Sequence, residues 1–327
     1  MIIDALNCSN WSRELFQELR NADVTCIHVT TAVWENGRET LSQLHKWYRW
    51  FRQHNDLIMP VTTGADISQA AKLGKTGVVL GFQGSSPIED DLGMLELFYK
   101  LDVRIMQLTY NNASLLGGGC YEPNDGGLTR FGRETIREMN RLGMLIDLSH
   151  VGETTCHQAI DASDRPVSIT HANPRFMTDI PRSKSADLLK HLADNEGMLG
   201  CSLYPLLIGG REVTCEQWCT MIARTVEIMG VDKVGIGTDL VRNQTPQYLD
   251  WLRMGRWTHG VDYGASSKPN RDWPIWQDWF QSSLDFPNIV QGLRDIGFNE
   301  AETAQIMGEN WHRFFTKAFQ PQAEQTL

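Results

Sequence analysis

The stretch GLTRFGRETIREMNRLGMLIDLSHV, Gly127–Val151, contains the structural unit from which the fold can be read. From Arg133 to Leu142 the apolar residues Ile136, Met139 and Leu142 recur at helical spacing among charged ones, the pattern of a helix that buries one face. Gly143 follows, where a left-handed C-terminal cap is usual. Met144–Ser149 is then a short apolar run without the helical period, which reads as a buried strand, and it leads into the polar Ser149-His150. Helix, glycine, strand and polar end together make one half of a parallel βα repeat.

Working outward, the same alternation runs along most of the chain. Strands are expected at Met1–Leu6, Val24–Thr30, Ile58–Thr63, Gly77–Phe82, Arg104–Thr109, Met144–Ser149, Pro166–Thr170, Met198–Leu203 and Lys233–Thr238. Helical patterns fill the gaps, as at Glu39–Arg52, Glu216–Met229 and Glu300–Phe315. The expected fold class is α/β, a (β/α)8 TIM barrel, with one candidate strand in excess; Ile58–Thr63 or Met198–Leu203 is the one to fall outside. No Gly/Ser-rich or Pro-rich linker divides the chain, so residues 1–327 are expected to form one domain. The exception to the alternation is the aperiodic segment 245–286, which carries Trp251, Trp257, Trp273, Trp276 and Trp279 and follows a strand. It reads as a lid-like insertion on the catalytic face, its tryptophans packing it onto the barrel.

Composition excludes several function classes. A net charge of −10, with the 30 Lys and Arg residues scattered, leaves no basic surface for nucleic acid. No apolar run approaches the roughly 18 residues of a spanning helix, and the start MIIDAL lacks the basic region of a signal peptide, so a cytoplasmic protein is expected. Seven cysteines are an odd number, which argues against a disulfide framework; Cys215 and Cys219, one helical turn apart, read as core packing. The expected partner is a small molecule, and a homodimer is compatible with the sequence.

In a (β/α)8 barrel, chemistry sits where strands end. Four ends stand out: Asp147-Leu148-Ser149-His150, Ile169-Thr170-His171, Gly81-Phe82-Gln83 and Gly235-Ile236-Gly237-Thr238-Asp239. Adjacent strands lie about 4.8 Å apart, so histidines ending consecutive strands, His150 and His171, can both reach one ion.

Gly127–Val151 and the following PVSITHANPRFMTDIPRS, Pro166–Ser183, resemble the most diagnostic segments of the renal, or membrane, dipeptidase family, metal-dependent hydrolases of the amidohydrolase type. VGIGTDL, Val234–Leu240, and MGENWHRFF, Met307–Phe315, extend the match in order towards the end of the chain. The resemblance implies that His150 and His171 are ligands of the family's second metal. It also implies that Asp239 contacts the first metal and handles protons, and that Arg182 holds a substrate carboxylate, a role suited to a guanidinium fork. By itself Arg182 reads as a solvated loop residue.

The departures fall on one half of that centre. The family's opening Asp-Gly-His-Asn-Asp is Asp4-Ala5-Leu6-Asn7-Cys8 here, its metal-bridging Glu is Gln83, and the His of its Leu-Thr-His is Tyr110. Leu6 cannot bind a metal, whereas Cys8 either binds as thiolate or packs as a thiol. The expected centre is therefore one ion, Zn²⁺ by the chemistry of two imidazoles and an oxygen, held by His150 and His171 with Gln83 or Asp239. In the reaction this implies, an amide bond of a small carboxylate-bearing substrate is hydrolysed, with Asp239 moving the proton, Arg182 anchoring the carboxylate and Tyr110 stabilising the oxyanion. A second reading is a catalytically impaired barrel that binds a small zwitterion or cation. Gly117-Gly118-Gly119 lacks the lysine of a nucleotide-binding loop and reads as a flexible loop over the site.

Overall fold

The computed structural model describes residues 1–256 and 272–322. All nine expected strands form: β1 (Ile2–Asn7), β2 (Val24–Ala32), β3 (Ile58–Pro60), β4 (Thr76–Phe82), β5 (Val103–Gln107), β6 (Leu145–Asp147), β7 (Ser168–Ala172), β8 (Met198–Cys201) and β9 (Val234–Ile236). Eight of them pair in parallel in the order β1-β2-β4-β5-β6-β7-β8-β9. The circle closes just beyond β9, where Asp239 N donates to Leu6 O at 3.0 Å and Cys8 N to Leu240 O at 2.9 Å. The fold is a (β/α)8 TIM barrel.

Of the two strands in question, β3 is the one outside, and Met198–Cys201 takes its place in the barrel as β8. β3 pairs with Thr76–Val78 of β4, and β5 takes the same edge of β4 from Leu80 onward. β3 holds this edge of β4 as far as Val61, whose N–H donates to Val78 O at 2.9 Å, and β5 takes it over from Leu80.

Helices α1 (Arg13–Asn21), α2 (Gly37–Gln53), α3 (Gly64–Leu73), α4 (Gly93–Lys100), α5 (Arg130–Leu142), α6 (Glu153–Ala162) and α7 (Ala186–Asp194) lie between the strands up to β8. They are followed by α8 (Pro205–Ile208), α9 (Cys215–Met229), α10 (Pro246–Met254), α11 (Phe286–Asp295), α12 (Glu300–Ala304) and α13 (Asn310–Ala318). The Gly127–Val151 unit folds as its sequence dictates. Thr129 caps α5 by accepting from Gly132 N, Ile136, Met139 and Leu142 are buried, and Gly143 ends the helix at φ 79°. No helix among the described residues is long and apolar enough to cross a membrane.

Strand side chains split by parity between two cores. Ile27, Val29, Val78, Leu80, Ile146, Leu199, Val234 and Ile236 pack with the helices, while Ile3, Ala5, Cys26, Val79, Ile105, Leu145 and Met198 form a second cluster with Trp311, Phe315 and Phe319 of the C-terminal region. Trp311 donates from Nε1 to Ile236 O at 3.0 Å. Gly235 makes this approach possible, since a Cβ there would stand 2.5 Å from Trp311 Nε1. Gly200 and Gly237 serve the neighbouring strand in the same way: a Cβ on either would fall within 2 Å of Thr170 O.

The tryptophan-rich segment includes helix α10, and Trp257 lies outside the described residues. Trp251 and Trp273 pack with Trp34, Tyr110 and Leu252. Trp273 and Trp279 donate their indole N–H groups to Thr245 O and Val213 O. Gly117–Gly119 is a packed connection rather than an open flap: Gly119 bridges Val151, and a Cβ there would meet the backbone of Asn111 at 2.2 Å.

Candidate active site

Two buried aspartates order the strand-end face of the barrel that carries the candidate site. Asp147, at the end of β6, accepts from Ser149 N and Oγ and from Thr170 N through Oδ1, and from Thr170 Oγ1 through Oδ2 at 2.7 Å. Asp4, in β1, repeats the arrangement across the closure, accepting from Thr238 N and Oγ1, both at 2.7 Å, and from Leu6 N at 3.4 Å. Each aspartate thus grips a threonine on a neighbouring strand, and that threonine directly precedes a site residue, His171 or Asp239. Burial raises Asp4 to about 6, with the hydrogen bonds from Thr238 opposing it.

The histidines are brought together. His150 Nε2 and His171 Nε2 lie 3.0 Å apart, both rings buried. His171 Nδ1 is 2.8 Å from Thr170 Oγ1. Because that hydroxyl gives its proton to Asp147, it accepts from His171, which places the imidazole proton on Nδ1. His150 Nδ1 donates to Asn111 Oδ1 at 2.7 Å. Burial, reinforced by the charge of Arg182, holds both imidazoles well below the ordinary histidine range and hence neutral.

Two neutral rings with both protons on Nδ1 point two lone pairs at each other. That contact is repulsive unless a cation shares them. Two nitrogens bound to one ion at about 2.1 Å lie roughly 3.0–3.4 Å apart, so the pair fits a divalent metal, with Asn111 and Thr170 as the outer hydrogen-bond partners that fix a ligand's tautomer. Among the described residues no three His, Cys, Asp or Glu side chains gather about one point, so the protein ligands that fit are these two nitrogens plus at most an amide or a more distant carboxylate.

The other half of the face is a neutral hydrogen-bonded cluster. Gln83 Nε2 donates to Thr30 Oγ1 at 2.6 Å and to Cys8 Sγ at 2.9 Å, and Gln83 Oε1 accepts from Gln107 Nε2 at 3.4 Å. Gln107 Oε1 in turn accepts from His150 N at 3.0 Å, which joins the two halves. Cys8 Sγ donates to Asp239 Oδ1 at 3.7 Å. Burial, and then the proximity of Asp239, push the Cys8 thiol well above its usual range, so it sits there as a neutral thiol. Leu6 is fully buried. Gln83 therefore spends both donors within the cluster.

Asp239 adopts a left-handed backbone, φ 58°, and keeps part of its surface open to the pocket. The surrounding protein raises its carboxyl to about 7 by desolvation, with Arg182 pulling the other way. Arg182 is not the solvated loop residue that it resembles in isolation. It is 4% exposed, and its guanidinium donates to Ser149 O and, at 2.6 Å, to His171 O, tying together the chain beside both histidines. Tyr110 stacks on His150 with ring centroids 4.1 Å apart and meets Trp34 edge-on.

Above these groups opens a pocket. Cys8, Gln83, His150, Arg182 and Asp239 supply its polar atoms, and Leu207, Val241, Leu252 and Trp273, with Tyr110, Tyr121 and Tyr204, supply its wall. Asn111, Gln107 and the two aspartate clasps escaped the sequence reading. The signal present was positional: each clasp aspartate stands three residues before the polar strand-end residue, Asn7 or His150.

The sequence pattern of the membrane dipeptidases, peptidase family M19, matches residues 8–250. An uncharacterized dipeptidase of Schizosaccharomyces pombe is 32% identical over 213 residues, which cover 62% of this chain and 50% of the relative. The dipeptidase verJ of Clonostachys rogersoniana is 27% identical over 213 residues, 64% of this chain and 55% of the relative. The chain thus spans about half the length of these curated relatives. An amidohydrolase from Pseudomonas aeruginosa superposes with a TM-score of 0.92 at 35% identity, over 98% of this chain and 96% of that one. A metallopeptidase from Rhodobacter sphaeroides, solved with a phosphinate mimic of the dipeptide L-Ala-D-Ala, shares the fold with a TM-score of 0.79 at 16% identity, over 97% of this chain and 100% of that one.

The neutral cluster makes a prediction about reactivity. Thiolate is the nucleophile in alkylation, so Cys8, buried and held protonated, is expected to resist iodoacetamide in the native protein at pH 8 and to react on unfolding. Peptide mass spectrometry with and without denaturant checks this, and rapid native labelling of Cys8 would mean that the site carries a thiolate.

Proposed function

The chain belongs to the membrane dipeptidase family, peptidase family M19, and on that premise we propose that it hydrolyses the amide bond of a small, dipeptide-like substrate bearing a carboxylate, with one metal ion in a single barrel domain. The observation that carries the one-metal reading is the pair of inward lone pairs, His150 Nε2 and His171 Nε2, at 3.0 Å, beside a half-site already satisfied by Cys8, Gln83 and Thr30. Zn²⁺ suits the two imidazoles best. A divalent ion bound there would supply Lewis acidity to a carbonyl and favour attack by water.

The chain's own residues supply the rest. Arg182, with two of its five donors spent on backbone carbonyls, turns the remainder of its fork to the substrate carboxylate. Asp239, on the pocket surface next to Cys8, accepts the proton of the attacking water and returns it to the leaving amine. Tyr110, fixed by its stacking on His150, donates towards the oxyanion. Leu252, Trp273 and Tyr204 exclude water from the bond being cut. Gln83 and Asp239 are the side chains nearest in kind to a third ligand. The protein is taken to be cytoplasmic, with no nucleic-acid or membrane partner.

The neutral cluster also supports a second reading, a barrel that binds a small zwitterion or cation without turning it over. Turnover and metal content separate the two. The protein purified without chelators is expected to hydrolyse members of a panel of dipeptides and N-acyl amino acids. His150→Ala and His171→Ala should each release the tightly held ion and lower hydrolysis by about a hundredfold or more, with the fold retained. Activity that survives both substitutions would remove the histidine pair from the reaction, and metal-free binding without turnover would favour the second reading.

Arg182 is tested through its ligand. Arg182→Met is expected to weaken binding of carboxylate ligands by about 1.5–3 kcal/mol and to leave amidated analogues nearly unaffected, as calorimetry would read. Equal losses for both ligand types would confine Arg182 to holding Ser149 and His171.

A further inference from the structure

A second histidine pair lies on the outside of the barrel. Helices α6 and α7, which follow the strands ending in His150 and His171, pack against each other. Each carries a histidine and an aspartate four residues apart and therefore on one face: His157 and Asp161 on α6, and Asp187 and His191 on α7. The two imidazoles lie edge to edge, with centroids 4.9 Å apart, planes 19° from parallel and Nδ1 atoms facing each other at 2.7 Å. Behind the rings, His191 Nε2 is 2.9 Å from Asp161 Oδ1, and His157 Nε2 is 3.6 Å from Asp187 Oδ2.

An ionised carboxylate only accepts, so Asp161 draws the His191 proton to Nε2 and leaves its Nδ1 as a lone pair aimed at His157. That lone pair accepts the proton of His157 Nδ1 or binds a cation in its place. The histidine side chains are 30% and 26% exposed, so a hydrated ion can reach the gap without any unfolding. A carboxylate behind the ring is the usual backing of a metal-ligating histidine.

We propose that His157 and His191 form a surface metal site, binding one divalent transition-metal ion of the Cu²⁺, Ni²⁺ or Zn²⁺ class through their Nδ1 atoms, with Asp161 and Asp187 backing the rings and water completing the shell. The ion takes the place of the shared proton, which leaves to solvent as binding occurs. Nitrogens on one ion stand about 3 Å or more apart with their lone pairs converging on it, so the two half-exposed rings must both separate and turn to take the ion. With two protein ligands the site is weaker than a closed four-ligand centre, and it favours ions high in the Irving–Williams order. Bound there, the ion ties together the two helices that continue from the histidine-bearing strands of the barrel.

The test is a titration of the metal-free, full-length protein with Cu²⁺, counted by equilibrium dialysis. The wild type should take up one equivalent more than either His157→Gln or His191→Gln, while the His150→Ala/His171→Ala double variant keeps that equivalent. Asp161→Asn should weaken it by about tenfold or more, since it removes the backing of His191 without touching the donor atoms. Thermal melts without metal establish that the variants fold, and Cu²⁺ should raise the melting temperature of the His150→Ala/His171→Ala double variant but not of that variant with His157→Gln added. Equal uptake by the wild type and both glutamine variants would overturn the proposal. So would uptake that disappears entirely in the double variant.

Discussion

The strand-end face that carries the candidate site rests on the grip of a buried carboxylate on a threonine of a neighbouring strand. Asp147 holds Thr170 and Asp4 holds Thr238, each through both the backbone N–H and the hydroxyl. A carboxylate in the barrel interior is costly unless every lone pair is engaged, and here hydrogen-bond donors surround it. The same bonds fix the next residue along. Thr170 has no proton left for His171 and so accepts from it, which turns the Nε2 lone pair towards His150; Thr238 sets the backbone from which Asp239 enters the pocket in a left-handed conformation. Fold and site are thus joined by the same few hydrogen bonds.

From this follows the asymmetry of the face. Two dications side by side require anionic ligands between them, and the positions that would supply them hold Cys8 and Gln83, both neutral. These residues do not leave a hole. Cys8, Gln83 and Thr30 satisfy one another, and Gln107 carries the network on to the backbone of His150. A half-site completed in this way gains nothing from an ion, whereas the histidine half, with two lone pairs opposed at 3.0 Å, is relieved by one. The pocket above combines the guanidinium of Arg182 with an aromatic and aliphatic wall, which is what the proposed reading asks of a site for a carboxylate on a largely apolar molecule.

Much of this was legible in the sequence because period and chain direction carry it. The strand positions follow from apolar runs, and two histidines ending consecutive strands had to converge once the strands were parallel neighbours. The exclusion of Ile58–Pro60 was harder to read, because its composition suits a barrel strand; what decides it is that its pairing reaches only Val78 of β4, and β5 claims the same edge from Leu80 onward. Arg182 read as a solvated residue because its partners are backbone carbonyls of Ser149 and His171, which no side-chain pattern advertises. Asn111 and Gln107 were invisible for a related reason. Both come from the β5 end and act on His150, 39 and 43 residues later in the chain, a pairing that exists only after the barrel closes. Gly235 and Gly237 were read as parts of a motif, and their physical work is steric: one admits Trp311 and the other passes Thr170 O without a clash.

The central claim is that one face of the barrel presents a metal-binding half and a half that has become neutral and self-satisfied. Anomalous diffraction at the zinc edge from crystals grown with Zn²⁺ tests it most directly. Within the barrel the account predicts one peak, within about 2.1 Å of both His150 Nε2 and His171 Nε2, and no peak between Cys8 and Gln83. A second peak at Cys8 and Gln83, or density showing the two histidine nitrogens joined without an ion at saturating zinc, would contradict it.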